Sequence, residues 1–350
     1  MNQYSRRFFL RASAATAAVA ASQLGKIKPA LTQSKQINLY SSRHYNTDDE
    51  LYDLFTEQTG IQVNLIEGNA DELIERIESE GANSPADVLI TVDAGRLWRA
   101  EQAGLFAPVT SQVLTEKIPA NLRHPDNLWF GFTKRARAIV YNKNNVDPSE
   151  LSTYEDLADP KWQDRLVIRS SSNIYNQSLV AGLIEVHGEQ AVEEWAKGVV
   201  GNFARPPEGN DTAQIEAVAA GLADLAIVNT YYLPRYAKDA DPRQQAIFEQ
   251  IGVFFPNQDD RGTHVNVSGG GLVKTAPNPE AAIAFLEFLV SPEAQAFFAQ
   301  GNDEYPVLEG VPVDPIVADF GTFKEDTVNV SAYGENNAQA VQIMDRAGWK

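Results

Sequence analysis

The sequence predicts an α/β protein of two lobes, each built on a mostly parallel sheet with helices on both faces. Strand and helix patterns alternate in the first part of the chain, and a second strand–helix series begins near Arg137. Alternation of this kind places parallel strands side by side under covering helices. The roughly 320 residues after the leader also exceed what one hydrophobic core usually organises.

The first part of the chain has the pattern βαβαβ. Thr47 and Glu50 match a T-x-x-E capping box for the first helix, which Gly60 is expected to end. The run 61–65 alternates with period 2, and the run 87–90 (Asp-Val-Leu-Ile) is typical of a buried strand. Sheets of this type bind ligands beyond the carboxyl ends of their strands. The residues just after each strand are therefore the candidates for a site.

The second part repeats the alternation. Strands are predicted at 137–141, 165–168 and 224–228, with helices between the last two. The glycine-rich run 269–273 is predicted to be a flexible strand that returns to the first lobe. A helix is expected to begin at Pro279, because proline is favoured at the first helical position.

These patterns set the predicted domain limits. The first lobe is expected at 31–135 and is completed by about 265–305. The second lobe is expected at 136–264 and is completed by about 306–350.

The N-terminus carries an export signal. Residues 5–11 read Ser-Arg-Arg-Phe-Phe-Leu-Arg, which matches the twin-arginine consensus, and an alanine-rich run follows over 12–24. That run is shorter than the roughly 20 residues that span a bilayer. Residues 1–30 are therefore predicted to be a twin-arginine signal peptide, and the rest a periplasmic protein without membrane insertion.

Composition excludes several functions. The chain has no cysteine, which removes disulfides, iron–sulfur clusters and thiolate metal sites. The formal net charge is −18, and it becomes about −23 without the five basic residues of 1–30. Such a surface repels nucleic acid, so no nucleic-acid partner is expected. The sequence contains no G-x-S-x-G, H-E-x-x-H or P-loop motif, so we predict that the protein is not an enzyme.

Tyrosine and histidine residues follow three of the predicted strands. They are His44, Tyr45, Tyr175, Tyr231 and Tyr232. Any one of them alone is as well explained by packing or by a surface position. Together, phenolates and one imidazole suit a hard, highly charged cation such as Fe3+. A phenol has a pKa near 10, so it ionises at neutral pH only beside a strong positive charge such as ferric ion.

Charge balance adds two candidates. Four phenolates around Fe3+ leave one negative charge, which Arg43 beside the His-Tyr pair or Arg205 in a later loop would cancel. The pattern does not choose between these arginines. The run 170–173 (Ser-Ser-Ser-Asn) precedes a helix and suits either an anion bound by backbone N–H groups or a simple N-cap.

Four motifs carry a resemblance to a known family. They are 39–45 (Leu-Tyr-Ser-Ser-Arg-His-Tyr), 85–88 (Pro-Ala-Asp-Val), Asn229-Thr230-Tyr231-Tyr232 and 291–295 (Ser-Pro-Glu-Ala-Gln). With them the chain resembles the periplasmic ferric-ion-binding proteins of ABC iron importers, in particular the cyanobacterial FutA type. The resemblance covers roughly residues 36 to 345.

The resemblance implies a hinged, two-lobed periplasmic-binding-protein fold that closes on Fe3+. It implies that Tyr231 and Tyr232 bind the metal from the second lobe and His44 from the first. In the cyanobacterial type, Tyr45 and Tyr175 complete a site that needs no bound carbonate or phosphate. Some relatives place a glutamate ligand shortly after Pro-Ala-Asp-Val, where this chain has only Asp93.

The implied partners are the permease and ATPase subunits of an ABC transporter, served by a monomer. Two alternatives remain at this stage. One is the same fold binding a small organic or anionic solute, with the aromatic residues stacking on it. The other is an iron chaperone, or a protective partner of a membrane complex.

Overall fold

The computed structural model describes residues 36–43, 45 and 47–350. The predicted signal peptide and His44 lie outside the described residues. Within the described part of the chain, the strands are β1 Gln36–Ser41, β2 Gln62–Glu67, β3 Val88–Val92, β4 Phe130–Asn142, β5 Leu166–Val167, β6 Leu225–Asn229, β7 Ile251–Phe254, β8 Val265–Leu272 and β9 Tyr305–Pro306.

The α-helices alternate with these strands. They are α1 Asp48–Thr59, α2 Ala70–Glu80, α3 Ala94–Gln102, α4 Gln112–Lys117, α5 Ile174–His187, α6 Glu189–Gly201, α7 Asp211–Ala219, α8 Leu233–Lys238, α9 Pro242–Gln250, α10 Pro279–Phe288, α11 Pro292–Gly301, α12 Pro315–Ala318, α13 Ala332–Glu335 and α14 Asn337–Ala347. The predicted elements are thus present, with ends shifted by a few residues.

The strands form a mixed sheet in the order β2-β1-β3-β8-β4-β6-β5, and β7 and β9 also pair with β4. Pairing is parallel for β2-β1-β3 and for β5-β6, as predicted. It is antiparallel at the centre, where β8 joins β3 to β4 and β4 pairs with β6. The expectation of a mostly parallel sheet is therefore wrong at the centre, because β8 arrives there from late in the chain rather than through a βαβ crossover.

Strand β4 belongs to both parts of the sheet. Its first part pairs with β8, and its second part, from Arg137 onward, pairs with β6. The sequence placed the start of this strand near Arg137, but buried Phe130 and Phe132 extend it backward. The lobe limits predicted from the sequence remain predictions. Strand β4 runs from the part of the sheet that contains β8 into the part that contains β6.

The glycines of β8 allow a very close approach to its neighbours. A Cβ atom on Gly270 would lie 2.4 Å from the Leu89 carbonyl oxygen, and one on Gly269 would lie 2.4 Å from the Phe130 carbonyl oxygen. This strand was predicted to be flexible, but it is paired on both sides. Its glycines serve close packing instead.

Two helix ends test the capping predictions. Gly60 ends α1 with φ 72°, the left-handed conformation expected of a glycine C-cap. The capping box at Thr47 is wrong: its backbone is helical, its side chain caps nothing, and its hydroxyl donates to Asn302 Oδ1. A partner from a distant segment has replaced the local hydrogen bond that the sequence pattern indicates.

Three tryptophans lie at the centre of the packed core, Trp129, Trp162 and Trp349, all with 1% exposure or less.

No single helix among the described residues is long and apolar enough to cross a membrane. Helices α10 and α11 meet that test only as a pair bent by 62°.

Buried His264 makes the stability of the fold depend on pH. Its ring lies 4.5 Å from that of Tyr333, and burial, with nearby arginines, lowers its pKa from 6.5 to about 3. The unfolded chain therefore binds a proton below pH 6.5 that the folded protein does not bind until about pH 3. We expect the free energy of unfolding to fall by about 2 kcal/mol from pH 7 to pH 5 through this group.

Thermal unfolding of the wild type and of His264→Gln at several pH values between 7 and 5 tests this. The variant should lose much of the dependence, since glutamine does not titrate. Parallel curves for the two proteins would show that another group is responsible.

Candidate metal site

The tyrosine pair stands where β6 ends. Asn229 is the last residue of the strand, Thr230–Tyr232 form one turn of 3₁₀ helix, and α8 follows. The Asn229 backbone N–H donates to Asp211 Oδ2 at 2.8 Å, which fixes the strand end. The rings of Tyr231 and Tyr232 lie 4.5 Å apart, and Tyr231 is buried. The strand-end position predicted from sequence is confirmed.

Tyr175 meets the pair from the start of α5. Asn173 caps this helix by accepting a hydrogen bond from the Tyr175 backbone N–H at 3.1 Å. The hydroxyl of Tyr231 donates to that of Tyr175 at 3.4 Å, and Asn229 Nδ2 donates to the Tyr231 hydroxyl at 3.3 Å. The two phenol oxygens are thus close enough to share one ion.

Tyr45 joins the group through a shared arginine. The Arg235 guanidinium carbon lies 6.0 Å from the ring centre of Tyr45, 5.4 Å from that of Tyr231 and 5.1 Å from that of Tyr232. The structure therefore brings together Tyr45, Tyr175, Tyr231 and Tyr232. His44 lies outside the described residues, directly before Tyr45 in the chain.

Three of the site phenols are shifted toward their neutral form. Burial raises the pKa of Tyr45, Tyr231 and Tyr232, and the neighbouring Tyr175 raises it further for the last two. Only a cation of high charge can displace protons from such groups. The site therefore favours a strongly Lewis-acidic metal such as Fe3+ over a softer divalent ion.

No other ligand cluster competes with this one. Within 36–43, 45 and 47–350, no group of three or more His, Cys, Asp or Glu side chains is arranged to hold a metal ion.

The two arginines singled out from the sequence already have acidic partners. Arg43 is buried and pairs with Asp48 at 2.8 Å and with Glu304 at 3.1 Å. Arg205 pairs with Glu208 at 2.9 Å. Neither therefore offers an unmatched positive charge to the phenols.

Arg135 is a residue that the sequence reasoning missed. It lies in β4 with 1% exposure, and its Nε and Nη1 have no hydrogen-bond partner among the described residues. Burial lowers the pKa of its guanidinium, but Glu304 and the phenols of Tyr231 and Tyr175 raise it more. The only signal in the sequence is an arginine at a buried position of a strand that leads to the site.

Asp211 is a second such residue, and it organises one side of the site. Fully buried at the start of α7, it accepts hydrogen bonds from Arg137 at 2.7 Å and from Arg169 at 3.3 Å. The guanidinium carbons of these two arginines lie 5.8 and 5.4 Å from the Tyr175 ring centre. Asp211 thus ties the Tyr175 surroundings to the end of β6.

Asp93 is a structural residue here. It caps α3 through the Gly95 N–H at 2.8 Å and accepts hydrogen bonds from Ser178 Oγ at 2.6 Å and Asn266 Nδ2 at 2.9 Å. Both carboxylate oxygens accept hydrogen bonds from neighbouring elements of the fold. Since Ser178 lies one turn after Tyr175 in α5, Asp93 helps to fix that helix.

Comparison with known proteins places the chain among solute-binding proteins. Residues 83–321 match the family model described as "Bacterial extracellular solute-binding protein". "Iron uptake protein A1" of Synechocystis is 60% identical over 359 residues, which cover 100% of both chains. The structure of Trichodesmium IdiA (FutA) with iron and citrate is 66% identical, with a TM-score of 0.89, and covers 90% of this chain and 100% of that one. The ferric binding protein of Campylobacter jejuni is 45% identical, with a TM-score of 0.84, and covers 90% and 100%.

Proposed function

Because this chain belongs to the bacterial extracellular solute-binding protein family, we propose that it captures ferric ion outside the cytoplasm and delivers it for iron uptake. The family binds solutes for transport and does not catalyse a reaction. The relatives support iron as the solute, since they include an iron uptake protein and a structure with bound iron. The observation that carries the proposal is a group of four tyrosines: Tyr45, Tyr231 and Tyr232 lie around Arg235, and the Tyr175 hydroxyl meets that of Tyr231.

The proposed ligands are the phenolates of Tyr45, Tyr175, Tyr231 and Tyr232, with His44 as the fifth group. Four phenolates and Fe3+ carry one negative charge in sum. Arg135 is the proposed buried counter-charge, because it interacts electrostatically with Tyr231 and Tyr175 and has no hydrogen-bonded acid of its own in the described chain. Arg235, which lies near three of the rings, is exposed. Arg43 and Arg205 already pair with acidic side chains.

By the lobe limits proposed from the sequence, His44 and Tyr45 belong to the first lobe. The other three tyrosines belong to the second lobe. Closure of a hinged protein of this kind would bring the two sets onto one ion. We propose further that the chain acts as a monomer, is exported by the twin-arginine route to the periplasm, and hands iron to an ABC permease with its ATPase.

Ferric titration of the purified protein with visible spectroscopy tests the proposal. We expect one Fe3+ per chain and a tyrosinate-to-iron charge-transfer band that saturates at one equivalent. Metal analysis of the protein as purified gives an independent check. A protein that stays colourless and metal-free after ferric loading would contradict the proposal and favour an organic or anionic solute.

Cellular uptake separates transport from an iron chaperone. A strain that lacks this gene should take up less ferric iron, and a copy with the tyrosine pair replaced should not restore uptake. Normal uptake in the deletion strain would favour the chaperone role.

A further inference from the structure

We propose that Glu304 is a positioning residue for Tyr45: it holds the Arg43 guanidinium, and the guanidinium in turn orients the Tyr45 ring toward the metal. This inference rests on the ferric function proposed above. It also gives Arg43 a different task from the charge balance expected from the sequence.

Arg43 is held by two carboxylates and lies against two aromatic rings. Its Nε donates to Asp48 Oδ2 at 2.8 Å, and its Nη1 donates to Glu304 Oε2 at 3.1 Å. Its guanidinium carbon lies 4.8 Å from the ring centre of Tyr45 and 4.9 Å from that of Phe298. A planar guanidinium can bind carboxylates along its edge and aromatic rings on its faces at the same time, which an ammonium group cannot do.

Glu304 is itself fixed by regular elements. It is fully buried, and its backbone N–H donates to the Phe298 carbonyl oxygen of α11 at 3.4 Å. Its Oε1 accepts a hydrogen bond from Ser268 Oγ of β8, also at 3.4 Å. The carboxylate thus has a defined position before Arg43 meets it.

The other acid around Arg43 is tied to the same segment. Asn302 Nδ2 donates to Asp48 Oδ1 at 2.9 Å, and Asn302 precedes Glu304 by two residues. The segment 302–304 therefore fixes both carboxylates that hold the guanidinium.

Tyr45 needs such support because of where it lies. It stands in the irregular stretch between β1 and α1, where no helix or strand sets the direction of its ring. Binding sites require side chains held within about 0.5 Å of the productive geometry by their surroundings. The stack on Arg43 supplies that constraint.

A positioning role and a purely electrostatic role of Glu304 predict opposite changes in ferric affinity for one substitution. Glu304→Gln removes a negative charge beside Tyr45 and Arg135 and keeps the side-chain volume. Coulomb forces alone would then favour phenolate formation and tighten ferric binding. If Glu304 acts by positioning, binding weakens instead, because Arg43 loses a charged partner and Tyr45 loses its fixed neighbour.

The test measures ferric affinity by citrate competition, and the charge-transfer band per bound iron, for the wild type, Glu304→Gln and Arg43→Lys. We expect about 10-fold to 100-fold weaker binding in both variants, the range seen when a group that orients a metal ligand is removed. We also expect a shifted or weaker band. Tighter or unchanged binding in Glu304→Gln, or an Arg43→Lys variant that behaves as wild type, would overturn the proposal.

A double-mutant cycle with Tyr45→Phe identifies the residue through which Glu304 acts. In the Tyr45→Phe background, Glu304→Gln should lower the ferric affinity less than about threefold, because the phenol that Glu304 positions is absent. Additive effects would overturn the proposal. If Glu304→Gln does not fold, as judged by thermal unfolding, Arg43→Lys is combined with Tyr45→Phe in the same cycle.

Glu80→Gln is a matched control. Glu80 pairs with Arg76 at 2.8 Å, and the Arg76 guanidinium carbon lies 5.1 Å from the ring centre of Tyr40, which is not one of the proposed ligands. This variant should bind iron as the wild type does. A wild-type protein that binds no ferric ion would refute the proposed function. If the wild type binds iron and shows the charge-transfer band, but the effects of Glu304→Gln and Tyr45→Phe are additive, only the role of Glu304 is refuted.

Discussion

Tyr232→Phe is expected to weaken ferric binding by at least about 100-fold and to remove or strongly shift the visible band. Loss of a group that merely orients a metal ligand costs 10-fold to 100-fold in affinity, so loss of a ligand should cost no less. The ring of Tyr232 lies 4.5 Å from that of Tyr231, and phenylalanine keeps this contact without the oxygen. Ferric titration with citrate competition gives the affinity, and the spectrum of the loaded protein reports the tyrosinate.

Tyr236→Phe is the control for this change. Tyr236 lies one turn further along α8, is buried to a similar degree as Tyr231, and its hydroxyl donates to the Thr212 carbonyl oxygen at 3.3 Å. It should bind iron with wild-type affinity and colour. If Tyr232→Phe also kept both, Tyr232 would not be a ligand.

Gly270→Ala is expected to cost about 3 kcal/mol or more of unfolding free energy, a large loss for the addition of a single methyl group. The new Cβ would lie 2.4 Å from the Leu89 carbonyl oxygen and 2.8 Å from Ile90 Cγ1. A backbone oxygen in a paired strand cannot move away without breaking the ladder. Urea unfolding of the metal-free protein measures the effect.

Gly201→Ala adds the same methyl group where nothing lies within 4 Å, at the end of α6. Alanine is preferred to glycine in helices by roughly 0.5–1 kcal/mol, so this control should be neutral or slightly more stable. Equal unfolding curves for the two variants would mean that β8 has more room than its neighbours indicate.

Local sequence patterns were sufficient to locate most of the candidate ligand residues. The tyrosine pair could be placed at a strand end because the local sequence puts it directly after the predicted strand 224–228. Tyr175 could be placed at a helix start for the same reason, since Asn173 caps that helix from two residues away. Four of the five predicted ligand residues lie together, and the fifth, His44, lies outside the described residues.

Partners from distant parts of the chain could not be predicted in this way. Thr47 has a perfect local capping pattern, yet its hydroxyl meets Asn302. Arg43 is two residues from Tyr45, which suggested a direct electrostatic role, but its second carboxylate is 261 residues away. Arg135 becomes a candidate only when β4, β6 and β8 are assembled around it, because one strand gives no hint of what faces it.

The pairing of β3 with β8 has a consequence for how the chain folds. Val88 pairs with Leu272, so β3 has no neighbour on that side until most of the chain has been made. A sheet completed by such distant contacts folds slowly, because the long intervening chain loses conformational entropy before the strand contacts can stabilise the sheet. During that time β3 and β4 expose unpaired backbone groups to other chains. A chain truncated before Val265 would keep these open edges permanently and would therefore be prone to aggregate.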